Sequence, residues 1–327
     1  MSTSIMCKQM IKPLLNITSG GVGGTLNLQL LRAQKPKEKV VVIMGATGTG
    51  KSRLSIDLAT RFPAEIINCD KIQAYRGLEI TTNKITDEET RNIPHHLLGI
   101  IHPNEDFTAN NFCSMASTAV RSITTRSMLP IIAGGSNNYI EALISDQENQ
   151  FHSKYDCCFI WVDVSLPVLH SFVSKRVDTM VEKGMVEEVR NMFDPRADYS
   201  IGIRRAIGVP EFDTYFRMEH SLDHDEETKI KILDKAIANV KSNSCKLASH
   251  QTDKINRLKN VIGWKLHRID ATNVFMKKGI EADEEWDKLV LGPSSMIVRK
   301  FLFGSGYMVH PGLRQAMAAA RSVEMVK

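Results

Sequence analysis

The octapeptide Gly45-Ala46-Thr47-Gly48-Thr49-Gly50-Lys51-Ser52 carries the residue types that hold a phosphate chain. A glycine-rich backbone can turn its N–H groups inward around an anion, and a helix N-terminus adds partial positive charge. Lys51 can reach the outer phosphate oxygens, and Ser52 can ligate a magnesium ion. The context fits, because an apolar run at 40–44 precedes the loop and a helical pattern at 53–61 follows it. A chance glycine-rich turn rarely meets all these conditions. Gly45, Ala46, Thr47, Gly48, Thr49, Gly50, Lys51 and Ser52 are therefore the expected diphosphate or polyphosphate cradle, with Ser52 the expected magnesium ligand.

Asp70 is the second chemical residue. It follows an apolar run at 64–69, the strand next in sequence after the phosphate loop. A carboxylate there can hold magnesium through water, serve as a general base, or merely cap the following helix. Downstream, His95 and His96 follow Pro94; adjacent histidines point apart, so a structural or substrate-shaping role is expected. Gly134-Gly135-Ser136 follows another apolar run and can form a second anion nest. Arg176, and Arg204 with Arg205, offer planar forks suited to phosphate oxygens, although a solvated helix face is the competing reading.

These residues need a scaffold. Apolar runs at 40–44, 64–69, 129–133 and 157–164 read as strands, and 107–126 reads as a helix. Continuous apolar strands alternating with helices predict a parallel sheet covered on both faces. Ligands in such folds lie beyond the carboxyl ends of the strands, where the loop, Asp70, the Gly-Gly-Ser turn and Asp163 all fall. From 166 to about 259 the pattern is mainly helical and highly charged, 265–270 predicts one more strand, and 282–302 one or two further helices. The fold class is α/β: a P-loop NTPase-like core with a parallel sheet flanked by helices, plus a mainly helical C-terminal part. The expected segments are 1–39, 40–165, 166–262 and 263–327, the last ending in a loosely held tail.

Composition narrows the classes. With 327 residues and 43% hydrophobic residues the chain can bury a core, and no apolar run is long enough to span a membrane. The six cysteines, Cys7, Cys69, Cys113, Cys157, Cys158 and Cys245, form no CxxC pair and read as reduced thiols. Residues 1–39 hold Lys8, Lys12, Arg32, Lys35, Lys37 and Lys39 against one acid, Glu38, so this segment carries the whole formal net charge of +5. The remainder is formally neutral, which argues against a broad nucleic-acid surface. The acid-poor N-terminus lacks a secretory h-region and reads as an organelle transit peptide, with a disordered N-terminus as the alternative.

Seven stretches, taken in order, resemble the isopentenyltransferase family. They are GATGTGKS at 45–52, INCDKIQAYRGLEITTNK at 67–84, PHHLLG at 94–99, LPIIAGGSNNYIEAL at 129–143, FIWVDV at 159–164, RVDTMVEKGMVEEV at 176–189 and GIRRAIGVPEF at 202–212. They look like the plant adenylate isopentenyltransferases that begin cytokinin synthesis, relatives of the tRNA dimethylallyltransferases. The resemblance implies transfer of a dimethylallyl group from its diphosphate ester to the N6 amine of adenine. By that resemblance the loop holds the magnesium-bound diphosphate of the donor. Thr47 contacts its bridging oxygen, Arg176 and Arg204 are further diphosphate contacts, and Asp70 takes the N6 proton. It also implies a plastid location, with cytoplasm as the alternative.

A free nucleotide is the expected acceptor, ATP or ADP before AMP. The body is neutral, and only residues 141–156 separate the Gly-Gly turn region from the next strand, where the family's tRNA enzymes carry a long insertion. No Cys/His finger is present near the C-terminus. Lysines in 229–254 are expected to meet the extra phosphates of the acceptor. Cys69 and His250 depart from the family pattern, where serine and arginine are common. The rival readings are a tRNA dimethylallyltransferase, a P-loop kinase and a nucleotide-binding switch.

Overall fold

The computed structural model describes residues 37–145, 150–219 and 225–304; the expected transit segment and tail lie outside them, apart from a few flanking residues. Six strands form one sheet: β1 (Glu38–Met44), β2 (Ala64–Asn68), β3 (His95–His96), β4 (Leu129–Ala133), β5 (Tyr155–Asp163) and β6 (Leu266–Asp270). Their spatial order is β3-β2-β4-β1-β5-β6, and every pairing is parallel. The helices are α1 (Lys51–Ala59), α2 (Ala109–Thr125), α3 (Asn137–Ser145), α4 (Phe151–Lys154), α5 (Leu166–Glu182), α6 (Met185–Arg190), α7 (Asp213–Glu219), α8 (Glu226–Asn260), α9 (Thr272–Phe275), α10 (Gly279–Trp286) and α11 (Gly292–Phe303).

The core explains the apolar strands. Side chains alternate across a strand, so one run feeds two faces. Val40, Val42 and Met44 join a cluster with Phe112, Val120 and Ile140. Val41 and Ile43 join the opposite cluster with Leu54, Leu58 and Trp286. Both sheet faces are thus covered, and polar residues collect at the strand ends. The five cysteines among the described residues are all free thiols.

Local chemistry sets the helix ends. Thr108 and Asn111 cap α2 reciprocally, so this helix begins at Ala109 rather than at 107 as the sequence pattern implied. Asp225 accepts from the Thr228 N–H at 2.7 Å and starts α8, whose 35 residues run about 50 Å. β3 has two residues, too short to leave a periodic signal. In the C-terminal region α10 begins at Gly279, a few residues before the expected 282, and a five-residue π-helix, Asp287–Leu291, joins it to α11.

Candidate active site

The phosphate loop leaves β1 and ends on α1. Its last residue, Gly50, caps α1 with φ of 91° and no side-chain bond, so the first N–H groups of that helix remain available to an anion. A side chain at Gly50 is excluded twice. That backbone conformation strains L-residues, and a Cβ would lie 2.7 Å from the Trp286 ring.

Side chains of the loop bond its own backbone. Ala46 O accepts from the Thr49 hydroxyl at 3.0 Å and from Lys51 Nζ at 2.7 Å. Arg176, on α5, donates from Nη2 to the Thr47 hydroxyl at 2.9 Å. Its buried Nε has no partner among the described residues, so it keeps a donor for another acceptor. Burial lowers the Lys51 pKa to about 8, Asp70 raises it and Arg176 lowers it further. Burial also lowers the Arg176 pKa, and Asp70 opposes that. Two desolvated cations thus share one carboxylate, an arrangement that favours an added anion.

Asp70 lies one residue past Cys69, two beyond the last residue of β2. Its Oδ1 accepts from the Ile72 N–H at 3.1 Å, which fixes the carboxylate at the head of the turn. The next loop braces it. Ser136 N donates to Cys69 O at 3.1 Å, and Ser136 Oγ accepts from the Lys71 N–H at 2.8 Å. Gly134 passes so close that a Cβ would sit 2.0 Å from Cys69 O. The Gly-Gly-Ser turn therefore holds the Asp70 turn, with Ser136 already spent on backbone partners.

The histidines serve the scaffold. His95 Nδ1 meets Ile93 O at 2.8 Å, and His96 Nε2 meets Glu65 Oε2 at 2.7 Å. Asp163 pairs with Arg268 at 2.7 Å. Arg204 bonds Asn104 through Nη1, and Arg205 pairs with Asp106 at 2.8 Å, so the hydrogen bonds of this pair go to the 104–106 loop rather than to the phosphate loop. Arg204 Nε is buried without a partner among the described residues. Ser52 is exposed on the first turn of α1. Lys229, Lys231, Lys241 and Lys254 on α8 each pair with a carboxylate.

A cavity of about 1410 Å³ opens onto Gly48, Gly50 and Arg176, with Lys175, Phe172 and Trp286 in its wall. Asp70 is not among its lining residues. Two residues at the loop had no assigned role in the sequence reading. Gln251 accepts from the Thr47 N–H at 2.7 Å, and Trp286 lies against Gly50. Both contacts join segments more than 200 positions apart, so no local pattern announces them.

The family model described as IPP transferase matches residues 73–152 and 144–257. "Adenylate isopentenyltransferase 3, chloroplastic" of Arabidopsis thaliana is 54% identical over 300 residues, covering 91% of this chain and 89% of its own. "Adenylate isopentenyltransferase 5, chloroplastic" of the same plant is 56% identical, covering 90% and 88%. "Adenylate isopentenyltransferase 7, mitochondrial", also from it, is 52% identical, covering 87% of each. Among solved structures, a eukaryotic dimethylallyltransferase acting on tRNA superposes with a TM-score of 0.67 at 22% identity, covering 81% of this chain and 80% of that one. A tRNA isopentenylpyrophosphate transferase from Bacillus halodurans gives 0.63 at 24%, covering 81% and 99%. The structural likeness speaks to the fold, while sequence identity over nine-tenths of the chain speaks to kinship: this chain belongs to the IPP transferase family, among the adenylate isopentenyltransferases.

Proposed function

We propose that the protein transfers a dimethylallyl group from dimethylallyl diphosphate to the N6 amine of ATP or ADP, and less well of AMP, the first step of cytokinin biosynthesis. The observation that carries the residue roles is the Arg176 bond to the Thr47 hydroxyl, beside a Lys51 and an Arg176 that both feel the Asp70 charge. In this reading the N6 nitrogen attacks the allylic carbon, the carbon–oxygen bond to diphosphate breaks, and Asp70 takes the N6 proton. An exocyclic adenine amine is a poor nucleophile, so a placed carboxylate matters. Lys51, Arg176 and the N–H groups of Gly48, Gly50, Lys51 and Ser52 stabilise charge on the leaving diphosphate. Thr47 presents its hydroxyl to the bridging oxygen. Arg204 offers its buried Nε to the same anion.

The cavity supports the donor assignment. It joins Gly48 and Arg176 to apolar walls at Ile80, Phe172 and Phe275, a surface suited to a short isoprenoid beside its diphosphate.

Magnesium belongs to the same proposal. Among the described residues no cluster of three or more His, Cys, Asp or Glu side chains is placed to hold a metal. An exposed Ser52 hydroxyl at the loop fits an ion that arrives with the diphosphate, since magnesium keeps waters and phosphate oxygens as ligands. When bound, it supplies charge neutralisation to the leaving group.

A tRNA acceptor is the alternative. The short path from α3 through α4 to β5 favours the free nucleotide, because no domain is inserted there to grip RNA. No helix among the described residues is long and apolar enough to cross a membrane. The relatives named chloroplastic support a plastid location; fusing residues 1–39 to a fluorescent protein tests it against mitochondria and cytoplasm.

The deciding assay supplies labelled dimethylallyl diphosphate and magnesium with ATP, ADP, AMP or undermodified tRNA in parallel. Prenylated adenylate is the expected product. Transfer to tRNA alone, or no transfer, overturns the reading.

A further inference from the structure

Gln251 lies on α8, and its side-chain amide reaches two strand-end loops at once. Oε1 accepts from the Thr47 N–H at 2.7 Å, and Nε2 donates to Gly135 O at 2.9 Å. Its own main-chain oxygen accepts from Asn137 Nδ2 at 3.3 Å. The partners fix which way the amide faces. A flipped amide would set NH₂ against an N–H and oxygen against oxygen.

The Thr47 N–H and the Ala46 carbonyl belong to one planar peptide unit, and they point in opposite directions. Gln251 holds the N–H side. The oxygen side therefore faces inward, where it meets Thr49 and Lys51. With its N–H engaged, Thr47 presents its hydroxyl, the atom that Arg176 grips. The far end of the amide holds Gly135, whose neighbour Ser136 bonds Cys69 O and the Lys71 N–H on either side of Asp70. Gly135 must lack a side chain for this, because a Cβ there would lie 2.5 Å from Gln251 Nε2 and 3.5 Å from Asp70 Oδ2.

β1 and β4 are paired neighbours, and just past the end of β4 Gly134 N still donates to Ile43 O of β1 at 3.4 Å. Beyond that point Gln251 spans the gap between the loop with Thr47 and the turn that braces Asp70.

We infer that Gln251 is a positioning residue for prenyl transfer: by fixing the Ala46–Thr47 peptide and the Gly135 turn in one frame, it sets the Thr47 hydroxyl against the Asp70 carboxylate. The inference rests on the function proposed above. Gln251 acts through these two residues and not on the substrates. Its loss lowers kcat and leaves the ground-state hold on the diphosphate largely intact, because Lys51, Arg176 and the remaining loop amides stay in place. Misplacement of reacting groups by about 1 Å costs on the order of 10²-fold in rate.

The test uses the full chain with Gln251→Ala, Gly135→Ala and the double variant. Each is measured for kcat and KM with dimethylallyl diphosphate and ATP, for inorganic diphosphate affinity, and for thermal unfolding. Gln251→Ala should lower kcat about 10²-fold, with donor KM and diphosphate Kd within about threefold and little change in Tm. Gly135→Ala displaces the amide and should show the same kcat defect. The double variant should be no slower than Gln251→Ala, because the smaller side chain leaves room for the added methyl. Unchanged kcat in Gln251→Ala overturns the inference, as does a defect confined to KM, a loss matched by unfolding, or additive defects in the double variant. If the unaltered protein makes no prenylated adenylate, it is the functional reading that fails, so the two failures are told apart by the first measurement.

Discussion

Arg176 Nη2 donates to the Thr47 hydroxyl at 2.9 Å across 129 positions of sequence. The bond joins α5 to the loop after β1; in the proposed reaction it sets the guanidinium beside the bridging oxygen of the donor. Lysine at 176 keeps the charge and loses the planar fork. Arg176→Lys is therefore expected to lower kcat/KM for dimethylallyl diphosphate by about 10-fold to 100-fold, an amount similar to one or two lost charge-assisted bonds. Steady-state kinetics at saturating ATP, with a circular dichroism check of folding, measures this.

With Lys51 in its proposed role, donor binding is expected to depend on alkaline pH. Its pKa is lowered from 10.5 to about 8, chiefly by burial. Below that value the ammonium is charged and attracts diphosphate. Above it the free protein has lost the proton, which binding must recover. Inorganic diphosphate affinity is expected to fall by up to about tenfold per pH unit above 8, with proton uptake on binding. Calorimetry in buffers of different ionisation enthalpy measures both. For the ligand-free protein the sign is opposite. Between about 8 and 10.5 the folded state has lost a proton that the unfolded state retains, so this residue's contribution to stability rises with pH.

Trp286 supports the loop from the C-terminal side. Its Nε1–H donates to Asp57 Oδ2 at 2.9 Å while the ring lies against Gly50. Arg91 also meets Asp57, at 3.1 Å. Trp286→Phe removes the indole donor from a buried carboxylate that keeps two cations, Arg91 and, at 3.8 Å, Arg53. A loss of about 1–3 kcal/mol in unfolding free energy is expected, read as a lower urea midpoint with unchanged slope.

The loop, the strand runs and Asp70 were legible because their signals are local. Glycine spacing before a helix states the need for exposed N–H groups, and an unbroken apolar run states burial on both sheet faces. Contacts between distant segments left no such trace. Gln251 stands on a charged helix with nothing to separate it from its neighbours, and Trp286 reads as an ordinary core aromatic. Arg204 and Arg205 resemble anion ligands beside two glycines; Asn104 and Asp106 take their terminal nitrogens, while the Arg204 Nε keeps no partner among the described residues. The Gly-Gly-Ser turn resembles an anion nest in sequence; its long-range bonds to Cys69 O and Lys71 N, which brace the Asp70 turn, leave no local signal.

The most direct measurement is Asp70→Asn, assayed for prenyl transfer to ATP and for inorganic diphosphate binding on the same preparation. Asparagine preserves the shape and the acceptor for the Ile72 N–H, and removes the base. Turnover should fall by about 10²-fold to 10⁴-fold while diphosphate still binds. Near-normal turnover in that variant would contradict the assignment of Asp70 as the group that takes the N6 proton.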